Sequence, residues 1–339
     1  MRQVGDQDGG FLLSDKLVKE LARRYIREGR KRLSINRREQ RKFNQHVYKS
    51  WKKAIDFFEI IRIAAVDIGA THNKQARPRA VQENDVRFEV LARLHSRACL
   101  VSGEVLTLMG GGYASGAYSR WRTLHEVAVT SRLISAAEME LAKRYLLHER
   151  VESAKAARLH LEYQERLGLE PLAVEEVERI ARWPDASAKD LGRGFRSPYG
   201  WASGFFGLSE KPTFADLEKA AGRDHWRPYY MMASWGVHAS AKGSMWNIGV
   251  GRLDKLLLAG ASDLGLADPG HQALIALLQT TSSFLLLHPT KKKIAIISGL
   301  SRLVDVAGQA FLEIHQRMEA LAAESIEREQ QNEESPRER

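Results

Sequence analysis

Apolar residues recur every three or four positions along nearly the whole chain, and nowhere do two alternating Val/Ile/Thr-rich runs flank a two-residue turn. The pattern predicts an all-α protein, a multi-helix bundle. Long helices are expected over Ser14–Leu33 and Asn36–Gly69, and then, after a loop at Lys74–Gln82 containing Pro78, over Asn84–Met109. Gly110, Gly111 and Gly112 stop the last of these. Further helices are predicted over Tyr113–Ser135 and Ala137–Leu167, the second closed by Gly168 and Pro171. Thr213, followed three residues later by Asp216, reads as an N-cap, with Gly222 ending a short helix. Pro228 opens a helix running to about Ala241, and Pro269–Leu287 and Ile294–Ile326 complete the body. Two stretches break the period. Pro184–Pro212, with five glycines and the aromatics Phe195, Tyr199, Trp201, Phe205 and Phe206, reads as a long aromatic loop, either a binding lid or a pinned connector. Glu327–Arg339 is polar enough for a disordered tail. The expected organisation is a basic helical arm over 1–75, a body over 76–326 and the tail over 327–339.

Polar residues on otherwise apolar helices are the candidates for chemistry. Pro228–Ala241 holds no Lys, Arg, Asp or Glu, as expected of a central helix, and Tyr230, Ser234 and His238 are spaced by four, which lines them along one helix face. Arg122 and Glu126 share that spacing, as do Arg144, His148 and Glu152. Buried charges need partners, so Glu126, Arg122, His148 and His238 are expected to meet across helix interfaces. Around an open pocket, His238 would act as general acid or base oriented by Glu126, Tyr230 and Ser234 would bind or activate a substrate, and Arg122 would stabilise an anion. Sealed from water, the same residues would be a structural network fixing helix register.

Several stronger chemistries fail on spacing. His125-Glu126 and His148-Glu149 begin like zinc-protease helices, but Val129 and Glu152 stand where the second histidine is required, so no metal site is readable. The glycine triplet lacks the Lys-Ser/Thr of a phosphate loop, Ser234 lacks a nucleophile elbow, and no cofactor motif appears. Arg41…His46 and Arg120…His125 fit the spacing of metal-independent helical ribonucleases of the HEPN class, but chance supplies such matches in a chain with 11 histidines. The enzymatic alternative is a metal-independent ribonuclease using His238 or His125 in a buried His/Glu/Tyr site.

Composition adds two points. At 339 residues and 44% hydrophobic the chain can bury a large core, and its single cysteine, Cys99, excludes a disulfide framework and cysteine-based metal clusters. A reducing cytoplasm is the expected compartment, with Cys99 a small core residue. No basic-then-apolar leader pattern appears, and Gln279 to Ser283 interrupt the most apolar run, His271–His288, so no membrane span is expected. The net charge of +10 is concentrated: Lys16–Lys53 carries 15 Lys and Arg against three acids. Arg23, Arg24, Arg27, Arg30, Lys31, Arg32, Arg37, Arg38, Arg41 and Lys42 are therefore candidate contacts to the phosphates of RNA or DNA, with Tyr25, Phe43, Tyr48 and Trp51 interleaved for stacking. An acidic membrane surface, an acidic partner or a merely solvated face would fit the same charges. Long helices also suit a scaffold or a homo-oligomer.

The motifs GAYSRWRTLHEVAV, RYLLHERVESAKAA, SPYGWA and FADLEKAAGRDHWRPYYMMASWGVHASAKGS, in this order, resemble a bacterial family known only as domain of unknown function 5677. The resemblance covers approximately Asn84 to Gly265. It implies a helical fold and a place among bacterial accessory or defence gene sets. Arg122, Glu126, Tyr199, Trp201, Tyr230, Ser234 and His238 carry the family pattern, with no roles assigned, and the basic arm lies outside it.

Overall fold

A computed structural model describes residues 14–180, 191–250 and 258–334. Helices account for the fold, with no strand among the described residues. The first helix, α1, spans Asp15–Gln82 without interruption, about 100 Å at 1.5 Å per residue. The Ser14 side chain caps it, accepting from the Leu17 N–H at 3.2 Å. Two breaks expected from the sequence are absent. Ser34–Ile35–Asn36 contains cap-type residues but no Gly or Pro, so nothing forces the helix to stop there. Pro78 sits inside the last turns and forfeits one backbone bond. Side chains hold those turns: Arg77 reaches Asn73 (3.1 Å) and Glu89 (2.9 Å), and Arg79 reaches Glu83 (2.8 Å).

Next, α2 (Val86–Gly110) is capped by Asp85, which accepts from the Phe88 N–H. It turns through Gly112, at φ +76°, into α3 (Ala114–Ala136). A side chain at Gly112 would collide with the Ser262 carbonyl and the Phe43 ring, so glycine there lets the turn lie against both. Helix α4 (Met139–Leu167) ends on Gly168 in the left-handed conformation, as the sequence predicts. Short helices follow: α5 (Phe214–Ala220) with the Thr213/Asp216 capping box, α6 (Arg227–Trp235) with Pro228 in its first turn, and α7 (Ala241–Met245). Helices α8 (Ala267–Leu285) and α9 (Lys291–Glu334) close the chain.

The central helix is α8, packed against α1, α2, α3 and α9, and not the Pro228–Ala241 segment. Its polar interruption is satisfied locally: the hydroxyls of Thr280, Thr281 and Ser282 donate to carbonyls one turn back, at 2.9, 2.8 and 2.7 Å. By contrast α6 is short and peripheral, with Tyr229 and Met231 exposed. Burial along α1 begins at Val47 and continues through Trp51, Ala54 and Phe58, so its second half belongs to the core and only about the first 32 residues project. Helix α9 extends to Glu334, eight residues into the stretch expected as a tail; 335–339 lie outside the described residues, as do 184–190 of the aromatic loop. By length and composition the segment 291–325 is apolar enough to cross a membrane, where no span was expected, and a third of its most apolar window is buried in the bundle.

Candidate functional site: a cleft at Glu126 and a projecting basic helix

Where α6 crosses α3, the Tyr230 hydroxyl donates to Glu126 Oε1 at 2.5 Å. Arg122, one turn earlier on α3, places Nη2 3.4 Å from the same oxygen and its guanidinium 4.8 Å from the Tyr230 ring centre. Arg227 lies 5.1 Å from that ring. Burial, reinforced by the hydrogen bond to Glu126, pushes the Tyr230 phenol well above its ordinary range, so it stays a protonated donor. Glu126, about a third exposed, faces a cleft of roughly 590 Å³. Tyr145, Tyr199, Trp201 and Phe214 wall the cleft, Arg93 and Arg97 rim it on α2, and His148 and Glu149 approach from α4. Burial, with the nearby Glu126 charge second, likewise raises the Tyr199 phenol. A fixed carboxylate between aromatic walls can accept hydrogen bonds from a ligand or hold a cation. Among the described residues no three His, Cys, Asp or Glu side chains converge as a metal ion would require.

Other predicted site residues lie elsewhere. The Ser234 hydroxyl turns back onto its own helix and donates to the Tyr230 carbonyl at 2.7 Å. His238 is exposed in the bend after α6, because the helix stops at Trp235. The Ser234 carbonyl there accepts from both Val237 and His238, and Ser240 starts the next helix. Tyr230, Ser234 and His238 therefore share no helix face, and His238 is not oriented by Glu126. The Arg144/His148 pair has a structural task. Arg144 donates to the carbonyls of Trp201, Gly200 and Leu191 at 3.1, 3.1 and 3.3 Å, and His148 donates to the Ser197 carbonyl at 2.9 Å. They pin the aromatic loop over the cleft, with the Trp201 ring edge-on to Tyr145. Burial lowers the His148 pKa, favouring the neutral ring. Glu152 is exposed and pairs with Lys155.

Sequence reasoning missed a second constellation. Glu218 on α5 is fully buried and bridges His125 Nε2 at 2.9 Å and Arg227 Nη1 at 2.7 Å. Its signal was present: Glu218 continues the apolar stripe Phe214, Leu217, Ala221, where an acid needs a buried partner. His125 is 2% exposed, packed against Trp121 and Phe214, so it is closed to any substrate. The ribonuclease reading thus finds neither His125 nor His238 in the cleft.

The projecting part of α1 is the other candidate surface. At about 100° per residue, the cations Arg23, Arg24, Arg27, Arg30, Lys31, Arg37, Arg38, Arg41 and Lys42 fall within an arc of about 140°, with Arg32 alone on the far side. All ten are exposed. Arg27 and Lys31 share Glu28, while Arg23, Arg24, Arg30, Arg32, Arg37, Arg38, Arg41 and Lys42 form no ion pair among the described residues.

Fold and cleft together define an all-helical bundle whose body holds an aromatic-walled carboxylate and whose first helix projects as a basic arm. Residues 88–251, a little under half of the chain, match a family described as Family of unknown function (DUF5677). The match contains Arg122, Glu126, Tyr199, Trp201 and Tyr230 and leaves the projecting arm outside. Neither the curated proteins nor the solved structures yield a match.

Proposed function

We propose that the protein binds nucleic acid, RNA or DNA, along the basic face of the projecting half of α1. The observation that carries this reading is the set of eight exposed cations without an ion-pair partner among the described residues, seven of them on one face of a continuous helix. Such a face holds its charges close together, and a polyanion relieves their repulsion while releasing its own counterions. Contacts of this kind go to phosphates and carry no base specificity. The cleft at Glu126 belongs to the body and would take a separate, small ligand. The setting that goes with this reading is the bacterial cytoplasm, in the defence-related context the family resemblance suggests.

The test is fluorescence anisotropy with a labelled 30-nucleotide RNA and a 30-base-pair DNA, comparing the full chain with the variant Arg30→Gln/Arg37→Gln/Arg38→Gln/Arg41→Gln. Submicromolar binding at 50 mM salt, weakened at least tenfold in the variant for every sequence tried, supports the proposal. Absence of binding, or equal binding by both proteins, overturns it.

A further inference from the structure

The projecting half of α1 has a second face. Val18, Leu21, Ala22, Tyr25, Ile26, Gly29 and Leu33 fall on an arc opposite the cations, at the same helical phase as Val47, Trp51, Ala54 and Phe58, which the body buries. The phase of the core-facing stripe thus recurs beyond the core, after an interval in which Asn36, Glu39, Gln40 and Asn44 occupy it around Phe43, and with Arg32 inside its arc. Its five large side chains are between 37% and 72% exposed. The chain's own α9 does not cover them, although it runs antiparallel beside α1, with Arg317 donating to the Ser50 carbonyl at 3.0 Å and Lys53 pairing with Glu313. A helix of this length without a cover for its apolar face lacks the packing that ordinarily stabilises helices in water.

We infer that a second copy of this chain covers the stripe, so that two molecules pair through the first halves of their α1 helices. Two features favour this occupant. The stripe keeps the helical phase of a surface already shaped for helix packing, and Ala22 and Gly29 leave room for a second helix to approach closely. The area also suffices: the five large side chains offer on the order of 500 Å² per copy, so a pair reaches the roughly 1,000 Å² that a specific interface needs. Pairing leaves the two basic faces pointing outward, with Arg32 alone on the side of the contact, so it is compatible with the nucleic-acid reading and does not depend on it.

Sedimentation velocity of the full chain from 1 to 50 μM in 150 mM salt tests this. The wild type is expected to sediment as two chains. The variant Leu21→Glu/Ile26→Glu, altered only at exposed positions, is expected at the 38.2 kDa of one chain, with an unchanged melting temperature for the body. Arg30→Gln/Arg38→Gln, on the other face, should stay dimeric even where it weakens nucleic-acid binding, which separates the two proposals. A wild type that is monomeric throughout overturns the inference, as does a Leu21→Glu/Ile26→Glu variant that remains dimeric. A monomer whose Leu21 and Ile26 are needed for co-sedimentation with phosphatidylglycerol vesicles assigns the stripe to a lipid surface and equally overturns it.

Discussion

Removing the Glu218 carboxylate takes a fully buried anion from between His125 and Arg227. The variant Glu218→Ala leaves the His125 N–H without an acceptor in a site that is 2% exposed and strands the Arg227 guanidinium. Breaking a buried pair in this way costs about 3–5 kcal/mol, and since Arg227 is 38% exposed and can rehydrate, the lower end applies. The same change at Glu126 removes one hydrogen bond, from Tyr230, and a 3.4 Å pair with Arg122, at a site open to the cleft. Its cost is about 1 kcal/mol. With roughly 2.1 cal/mol/K of unfolding entropy per residue, 1 kcal/mol shifts the melting temperature of a chain this long by about 1.5 °C. Calorimetry should show a drop of about 5 °C for Glu218→Ala and under 2 °C for Glu126→Ala. Equal losses, or a Glu218→Ala variant that melts like the wild type, would refute the division between a structural carboxylate and a cleft carboxylate.

His72 and His95 are buried between α1, α2 and α8. Burial is the main cause that lowers both to about 4 from 6.5, with Lys293 adding to the shift of His72 and His72 to that of His95. The unfolded chain binds protons that the folded one refuses, so stability is intact above about pH 6.5 and falls as pH drops toward 4, by up to about 3 kcal/mol per histidine. Denaturant midpoints at pH 7, 5.5 and 4.5 check this, and His72→Phe should flatten the slope. Gly69 lies against the His95 ring, which an added Cβ would overlap, so Gly69→Ala should lower stability by about 1–3 kcal/mol in urea unfolding. Burial lifts the Cys99 thiol to about 11, so a thiol reagent such as DTNB should react at least tenfold more slowly with the native than with the urea-unfolded protein.

Period and charge were legible where one residue's surroundings are its own helix. The 3.6-residue repeat located the long helices, Gly168 ended α4 and Thr213 began the short α5 as expected, and the cations of α1 could be counted before their arrangement was known. The Arg122–Glu126 pair also followed from spacing alone. What failed depends on tertiary packing. Pro78 did not break α1 because neighbouring side chains hold its turns, and α8 became the central helix despite five consecutive polar residues because hydroxyls can bond the preceding turn. The four-residue rhythm of Tyr230, Ser234 and His238 misled because a helix face exists only as far as the helix runs, and this one ends at Trp235. Glu218 was passed over because its partners come from α3 and the start of α6, 93 and 9 residues away along the chain.

The salt dependence of nucleic-acid binding tests the central claim most directly. Each phosphate neutralised on duplex DNA contributes about −0.9 to the slope of log affinity against log salt. The wild-type chain should give a steep negative slope, and Arg30→Gln/Arg37→Gln/Arg38→Gln/Arg41→Gln should flatten it by roughly 3 to 4 without shifting the melting temperature. A slope near zero for the wild type, or one the four substitutions leave unchanged, would contradict binding along this face of α1.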